Sequence, residues 1–313
     1  PYTPSPIRGE CVSYPRFFSA PSARTVHPFL GAIGAADPYL VKRGYAYIIV
    51  DLRGTGAAEG SWQAFSQIDQ DDIGELLNHI KAQPWSNGSI GMNGASYMGI
   101  TGLLAGARED PAVKAIFAIV PMGDAYRDIV FTGGQINAGF IPLWVTLVTG
   151  LGIIPTPAGL DNNEPGHYLN TTLQHLQGAL TEFQVPVVAG ALIGDENKYD
   201  TEFWRVRSPL EQIDKITAPT FVVGGLNDIF QRGEPLIYEG LKDHTTAKLL
   251  IGPWEHLDGS SGAGLPADGV PALSTIRLAW FDQYLKGMDS GAGDYPPVTQ
   301  YYTGEERYVT AAD

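Results

Sequence analysis

The segment IGMNGASYMG (90–99) holds a serine between two glycines, at the point where an apolar strand should give way to a helix. In the G-x-S-x-G pattern such a serine lies on a strained strand-to-helix turn with its hydroxyl exposed. Gly94 and Gly99, which lack side chains, would let the strand and the helix approach each other. The simpler interpretation is a tight turn that contains a serine, because both residue types are common in turns. The rest of the chain decides between the two.

The composition is that of a globular and acidic chain. Its 313 residues, 44% hydrophobic and 17% charged, are enough for one large domain or two ordinary ones. The formal net charge of -14 argues against nucleic acid or an anionic membrane surface as partner, since both attract basic patches. Cys11 is the only cysteine, which excludes an internal disulfide. The histidines do not pair with Cys or Glu at a metal-ligand spacing, so we expect no metal and no cofactor.

The chain opens at Pro1 without a methionine. We therefore expect an upstream piece to be missing, together with any signal peptide. Secreted and cytoplasmic locations both stay open, and so does a homo-oligomer.

Strand and helix patterns alternate around the serine. A β-rich run at 45–50 and strands over 89–93 and 114–120 alternate with helices predicted over 70–82 and 97–107. Apolar runs that alternate with helices in this way favour an α/β fold, with a mostly parallel sheet and helices on both faces.

An acid and a histidine follow two later strands. Segment 218–230 is typical of a buried strand that ends in a loop with Asp228, and segment 247–259 of another whose loop holds His256. The serine, the acid and the histidine all fall after the carboxyl ends of predicted strands, where open α/β sheets bind their ligands. The order Ser96, Asp228, His256 is that of the α/β-hydrolase triad. This coincidence favours catalysis over a simple turn.

Nucleophilic catalysis by a serine requires a base and an acid of these types. A serine hydroxyl is a poor nucleophile, so His256 would accept its proton, while Asp228 would hold the imidazole in the useful tautomer. The backbone N–H of Tyr97, at a helix N-terminus, would bind the oxyanion. Two other acids compete with Asp228 but follow no predicted strand, namely Asp200 and Asp214.

Four segments carry a resemblance to a known family: RGYAYIIVDLRGTGAAEG (43–60), QPWSNGSIGMNGASYMG (83–99), FWRVRSPLEQIDKITAPTFVVGGLNDIFQRGE (203–234) and LLIGPWEHLDG (249–259). They resemble the cocaine-esterase and X-Pro dipeptidyl-peptidase family of α/β-hydrolases, often labelled acyl esterases. The resemblance implies an α/β-hydrolase core with an inserted helical cap, and a triad on Ser96, Asp228 and His256.

The resemblance also divides the chain into parts. We expect the first part of the hydrolase core in 1–124, a helical cap in 125–210 and the second part of the core in 211–290. The tail 291–313 resembles the start of the family's C-terminal jelly-roll, so we expect that domain to be truncated and otherwise absent.

The oxyanion hole departs from the family pattern. There a tyrosine in a Pro-Tyr pair supplies a second donor, whereas the nearest match here is Pro28-Phe29, and phenylalanine has no hydroxyl. Tyr39 is an alternative, although it lies close to the next predicted strand. Losing one donor costs about 10²–10³ in rate. We therefore expect a slow esterase that prefers activated esters.

The substrate end of the site is expected in the apolar cap. No charged residue occurs from Ile129 to Leu160, and GFIPLWVTLVTGLGIIP (139–155) is nearly all apolar. A membrane helix of this length is conceivable, but it would separate the serine from the acid and the histidine, so we expect no span. Phe140 and Trp144 would then line an acyl or aromatic pocket, or pack in the cap's own core.

Asp128 stands near the place where amino-ester hydrolases of this family hold a substrate ammonium with cap carboxylates. A surface or capping role is the favoured alternative for it. Three functions therefore remain open. The first is a serine esterase, the second a peptidase or amino-ester hydrolase that anchors a free amine, and the third a non-catalytic binding protein. The expected partner is a small-molecule ester or amide.

Overall fold

A computed structural model describes residues 36–153 and 165–311 of the chain. The described chain forms two compact units. Among the described residues, one unit contains 36–63 and the described part of Leu143–Ala189, and the other contains Ala64–Pro142 and the residues from Gly190 to 311. The predicted division into core and cap stays a prediction.

The second unit is built on a six-stranded sheet. Its strands, in chain order and in sheet order, are β1 (Ile90–Ala95), β2 (Val113–Ile119), β3 (Thr220–Gly225), β4 (Ala247–Gly252), β5 (Val298–Tyr302) and β6 (Arg307–Ala311). The first five are parallel, and β6 is antiparallel to β5. Every residue of β3 and β4 is buried, as expected for central strands of a parallel sheet covered on both faces. The predicted mostly parallel α/β fold is confirmed.

Of the α-helices in the described ranges, two precede β1, and the others lie between successive strands, most of them between β2 and β3 or after β3. They are α1 (Pro38–Val41), α2 (Gln67–Lys81), α3 (Tyr97–Gly106), α4 (Ile141–Ile153), α5 (Pro165–Thr181), α6 (Gln184–Ile193), α7 (Glu202–Arg205), α8 (Gly233–Leu241), α9 (His256–Ser261) and α10 (Leu273–Lys286).

Helix α2 begins earlier than its apolar periodicity predicts. Ser66 and Asp69 form a capping box, in which the Ser66 side chain accepts the Asp69 N–H and the Asp69 carboxylate accepts the Ser66 N–H at 2.9 Å. This cap satisfies two N–H groups at the helix start. The helix then buries Ile73, Leu77 and Ile80 in the core, which is the face that the sequence predicts.

The run YAYIIV (45–50) is not a strand in the structure, so that prediction is wrong. Its residues are of the β-rich type, but Ile48 is 42% exposed and the run pairs with none of the six strands. A strand needs a hydrogen-bonded neighbour, and residue type alone does not provide one.

The described part of the C-terminal segment contains two strands. Within the described part of 291–313, β5 pairs with β4 in parallel and β6 completes the hairpin. These two strands therefore extend the six-stranded sheet, and the start of a truncated β domain stays a prediction. The pairing of Leu249 with Val298 continues the core, because Val298 packs against the same apolar cluster as β3 and β4.

In the first unit, polar contacts join α5 to the loop after residue 50 and to α4. Gln174 Oε1 accepts the N–H of Gly60 at 2.9 Å. His175 lies between two carbonyl oxygens, Gly152 O at 2.5 Å from Nδ1 and Ala58 O at 2.7 Å from Nε2. These contacts explain why the loop groups with the helices.

One apolar stretch of the described residues, Leu169–Ile193, is long enough to cross a membrane by length and composition (25 residues, mean hydropathy 1.3). The stretch is interrupted between α5 and α6, where residues 182–183 form a turn. Length and composition alone are weak evidence for a span.

Candidate active site

The turn between β1 and α3 holds Ser96 in a strained conformation. Its φ of 57° and ψ of -122° are unusual for a residue with a side chain. The Ser96 N–H donates to Ile119 O of β2 at 2.8 Å, which pins the turn against the sheet. A Cβ on Gly94 would lie 2.3 Å from Met98 Cβ, and one on Gly99 would lie 3.0 Å from Ile119 O. The two glycines therefore allow the close approach of strand and helix that the sequence predicts.

We expect Gly94→Ala to lower the free energy of unfolding by about 1–3 kcal/mol, because the added methyl overlaps the start of α3. The measurement is urea denaturation followed by circular dichroism. Gly102→Ala in α3 is the matched control, since its Cβ would meet Met92 Cβ at 3.4 Å and Ile116 Cγ2 at 3.9 Å, both ordinary contact distances. That variant should be neutral or more stable, because alanine favours a helix. Equal stability of the two variants would contradict the steric argument.

The structure brings Ser96, His256 and Asp228 into one hydrogen-bonded row. Ser96 Oγ lies 2.7 Å from His256 Nε2, and His256 Nδ1 lies 2.7 Å from Asp228 Oδ2. With Nδ1 donating to the carboxylate, Nε2 is left as the acceptor for the serine hydroxyl. All three side chains belong to the sheet-containing unit. They lie at the carboxyl ends of β1, β3 and β4.

The acid is fixed on both of its oxygens. The Asp228 side chain is 0% exposed, whereas His256 keeps 22% of its side-chain surface exposed. Asp228 Oδ1 accepts the N–H of Phe230 at 2.6 Å, so Oδ2 is the oxygen that faces the imidazole. The Phe230 ring packs edge-on against the His256 ring with centroids 5.2 Å apart. These contacts restrict the imidazole to one orientation.

Asp200 and Asp214, the competing acids, lie elsewhere. Asp200 pairs with Arg127 at 2.6 Å and lies 3.8 Å from Arg205. Asp214 is exposed in a 3-10 turn. Within the described ranges, Asp228 is the carboxylate that contacts His256.

A second carboxyl group, that of Glu234, lies near Asp228, and the sequence motifs do not point to it. Glu234 is completely buried in the first turn of α8. Burial and the nearby Asp228 charge raise the pKa of Glu234 from 4.5 to about 9. The Gly224-Gly225 pair at the end of β3 is the sequence signal for this close approach, because a Cβ on Gly224 would lie 2.1 Å from Glu234 Oε2.

The structure describes only some of the residues considered for the oxyanion hole. Tyr97 is the first residue of α3, so its backbone N–H lies at the helix N-terminus. Its ring stacks on Phe65 with centroids 4.1 Å apart. Phe29 lies outside the described residues. The alternative, Tyr39, lies in α1 of the other unit, where the Arg43 guanidinium covers its ring at 3.4 Å.

Asp128, for which a surface or capping role is the favoured interpretation and substrate binding the alternative, is a buried carboxylate. Its side chain is 0% exposed. Oδ2 accepts the N–H groups of Gly123 and Asp124, both at 2.8 Å, and Oδ1 pairs with Arg232 at 2.5 Å. Burial raises the pKa of Asp128, and these hydrogen bonds oppose that rise. The carboxylate therefore caps a turn and ties it to the segment before α8.

The two aromatic residues assigned to the pocket lie in different units. Trp144 packs against Trp62, with centroids 5.8 Å apart, and Trp62 also contacts Phe183 at 5.3 Å. Phe140 is half-buried just before α4, where its N–H donates to Asn137 Oδ1 at 3.1 Å. The contacts of Trp144 are those of an aromatic cluster within its own unit, and a pocket role for both residues stays a prediction.

The part of the chain that the structure describes contains no group of three or more His, Cys, Asp or Glu side chains suited to a metal ion.

Comparison with known proteins gives the same family as the sequence motifs. The model of the X-Pro dipeptidyl-peptidase (S15) family matches residues 9–258. Cocaine esterase from Rhodococcus sp. (strain MB1 Bresler) is 26% identical over 295 residues, which cover 87% of this chain and 50% of the esterase.

Solved structures share the fold. A CocE/NonD family hydrolase from Staphylococcus aureus superposes with a TM-score of 0.64 at 20% identity, over 89% of this chain and 44% of that one. An aminopeptidase from a marine sediment Thaumarchaeota archaeon gives a TM-score of 0.64 at 21% identity, over 88% and 49%. The chain spans about half the length of these curated relatives.

Proposed function

Because this chain belongs to the X-Pro dipeptidyl-peptidase (S15) family, we propose that it is a serine hydrolase that cleaves carboxylic esters of small or medium acyl substrates through an acyl-enzyme intermediate. The observation that carries the proposal is the 2.7 Å hydrogen bond between Ser96 Oγ and His256 Nε2. A nucleophile within reach of a base that a third group orients is the signature of nucleophilic catalysis.

In the first step, Ser96 Oγ attacks the ester carbonyl carbon while His256 Nε2 takes the hydroxyl proton. Asp228 keeps its hydrogen bond to Nδ1 and stabilises the imidazolium that forms. The tetrahedral intermediate then collapses, the bond to the alcohol oxygen breaks, and His256 returns the proton to that oxygen. The alcohol leaves, and the acyl group stays on Ser96 as an ester.

In the second step, water replaces the alcohol. His256 Nε2 takes a proton from the water, whose oxygen attacks the acyl carbon. The proton then returns to Ser96 Oγ as the carboxylic acid leaves. The same base therefore serves both half-reactions, and its 22% side-chain exposure leaves a path for water to reach it.

The oxyanion of each tetrahedral intermediate would be bound by the backbone N–H of Tyr97. This group lies at the start of α3, where the helix dipole also favours negative charge. Tyr97 is the donor that the described residues offer for this role, and a single backbone donor would leave the transition state of a poor leaving group less well stabilised. We therefore expect activated esters to react faster than alkyl esters.

The alternatives have weaker support. An X-Pro dipeptidyl-peptidase or an α-amino-ester hydrolase needs a carboxylate to hold the substrate ammonium. Asp128, the acid considered for that role, has both oxygens engaged by Gly123, Asp124 and Arg232. A non-catalytic binding protein would have no need of the row of hydrogen bonds from Ser96 to Asp228. Ester hydrolysis is therefore favoured.

Substrate profiling with the purified chain tests this choice. The panel contains p-nitrophenyl acetate, butyrate and octanoate, ethyl butyrate, and an aminoacyl-proline p-nitroanilide, with Ser96→Ala as the blank. We expect turnover of the p-nitrophenyl esters, slower turnover of ethyl butyrate and none of the anilide. Preferred cleavage of the anilide would support the peptidase alternative, and no turnover of any compound would support the binding protein.

A further inference from the structure

A buried glutamate that the proposed mechanism does not use lies beside the triad acid. Glu234 is 0% exposed, and its Oε2 accepts the N–H of Gly225 at 3.0 Å. Its Oε1 has no hydrogen-bond partner among the described residues. An ionised carboxylate with one unpartnered oxygen is costly to keep away from water. The contacts therefore favour the neutral acid.

Gly225 is also the residue that fixes the turn of the triad acid. Its carbonyl oxygen accepts the N–H of Asp228 at 3.1 Å. A Cβ on Gly225 would lie 2.4 Å from Trp254 O, so the loop that leads to His256 passes close to the same point. Gly225 thus links Glu234 to Asp228: its N–H donates to Glu234, and its carbonyl oxygen accepts the N–H of Asp228.

We propose that Glu234 is a positioning residue for the triad: as an uncharged carboxylic acid it holds Gly225, and through Gly225 the turn of Asp228, without adding a second negative charge beside that acid. The inference rests on the proposed function, because positioning matters only for a working triad.

The charges around Glu234 support the neutral form. Asp228 and Asp128 both raise its pKa, after burial, which is the largest cause. Asp128 is paired with Arg232, and Asp228 is bonded to His256. The carboxyl of Glu234 therefore keeps its proton at neutral pH. It ionises as the pH rises through about 9, and two buried like charges then repel each other at the acid turn.

The test compares kcat and kcat/KM of the wild-type chain, Glu234→Gln and Glu234→Ala for p-nitrophenyl butyrate. The rates are measured across the neutral and alkaline range, with spontaneous hydrolysis subtracted. Glutamine keeps an oxygen for Gly225 N–H and cannot ionise, so it should retain activity within about threefold and lose the alkaline fall seen in the wild type. Alanine leaves Gly225 N–H without its acceptor. It should lower kcat by about 10–10² at every pH, since small misplacements of catalytic groups have such effects.

The matched control is Glu239→Gln, on the same helix, because the Glu239 side chain is 58% exposed. This variant should follow the wild-type profile throughout. A readout independent of catalysis is the melting temperature.

Because the folded-state pKa of Glu234 is raised from 4.5 to about 9, the stability it contributes is fully present below 4.5 and is lost as the pH rises towards 9. The melting temperature of Glu234→Gln should therefore exceed that of the wild type by an amount that grows over this window. For Glu239→Gln, the difference in melting temperature from the wild type should not change over this pH range.

The possible results separate the positioning role of Glu234 from the proposed function. An alkaline fall that is the same in the wild type and Glu234→Gln, or wild-type kcat in Glu234→Ala, overturns the inference and leaves the proposed function standing. A wild-type chain that hydrolyses no ester overturns the proposed function and the positioning role with it. If Glu234→Ala does not fold, the comparison of Glu234→Gln with the wild type decides alone.

Discussion

Replacement of Ser96 by alanine should abolish ester turnover, with a loss of about 10⁶ in kcat, the size seen when a serine nucleophile is removed. The hydroxyl that His256 would deprotonate is gone, and no other group is bonded to His256 Nε2 in the described structure. The fold should survive, because alanine adds no atoms at this crowded turn. The measurement is the initial rate with p-nitrophenyl butyrate, together with the melting temperature.

Ser261→Ala is the control for this variant. Its hydroxyl is exposed and donates only to Asp258 O within α9, the helix that begins at His256. Wild-type turnover is expected there. Substantial turnover in Ser96→Ala, with background hydrolysis subtracted, would show that another group is the nucleophile.

Replacement of Asp228 by asparagine should cost about 10⁴ in kcat, and the local contacts explain why. Phe230 N–H donates to Oδ1 at 2.6 Å, so the amide oxygen of asparagine would stay on that side. The NH₂ group would then face His256 Nδ1 in place of Oδ2. It forces Nδ1 to accept and Nε2 to carry the proton, and a protonated Nε2 cannot take the proton of Ser96.

Asp214→Asn is the matched control, since Asp214 is an exposed acid of the same unit. It should keep wild-type kcat and the wild-type melting temperature. A larger loss in Asp214→Asn than in Asp228→Asn would mean that the wrong acid has been assigned. A near-normal rate in Asp228→Asn would mean that the imidazole tautomer is set by another group.

Elements with a strong local pattern were predictable. The apolar runs at β2 and β3 and the periodicity of α2 are properties of neighbouring residues, and these elements form within a few residues of their predicted positions. The meeting of Ser96, Asp228 and His256 was also predictable, because the carboxyl ends of parallel strands share one edge of a sheet.

Features that depend on a distant partner were not predictable. The run 45–50 has β-type residues, but strand formation needs a neighbour that the run itself does not specify. The C-terminal strands could be assigned to the core only once β4 was seen beside β5.

The burial of two carboxyl groups was not predictable for the same reason. Asp128 is indistinguishable from a surface acid until Arg232, 104 positions along the chain, lies against it. Glu234 follows Asp228 by six positions in a helix whose sequence does not reveal its complete burial. In both cases the environment of the carboxyl group, not its type, determines its role.

Covalent labelling with a fluorophosphonate tests the assignment of Ser96 most directly, because this reagent reacts with serines that a neighbouring base activates. The adduct is counted by intact mass and located by peptide mapping, in the wild-type chain and in Ser96→Ala. We expect one adduct per chain, on the peptide that contains Ser96, no adduct in Ser96→Ala and slower labelling in Asp228→Asn. No adduct on the folded wild-type chain, or an adduct that persists in Ser96→Ala, would contradict the assignment.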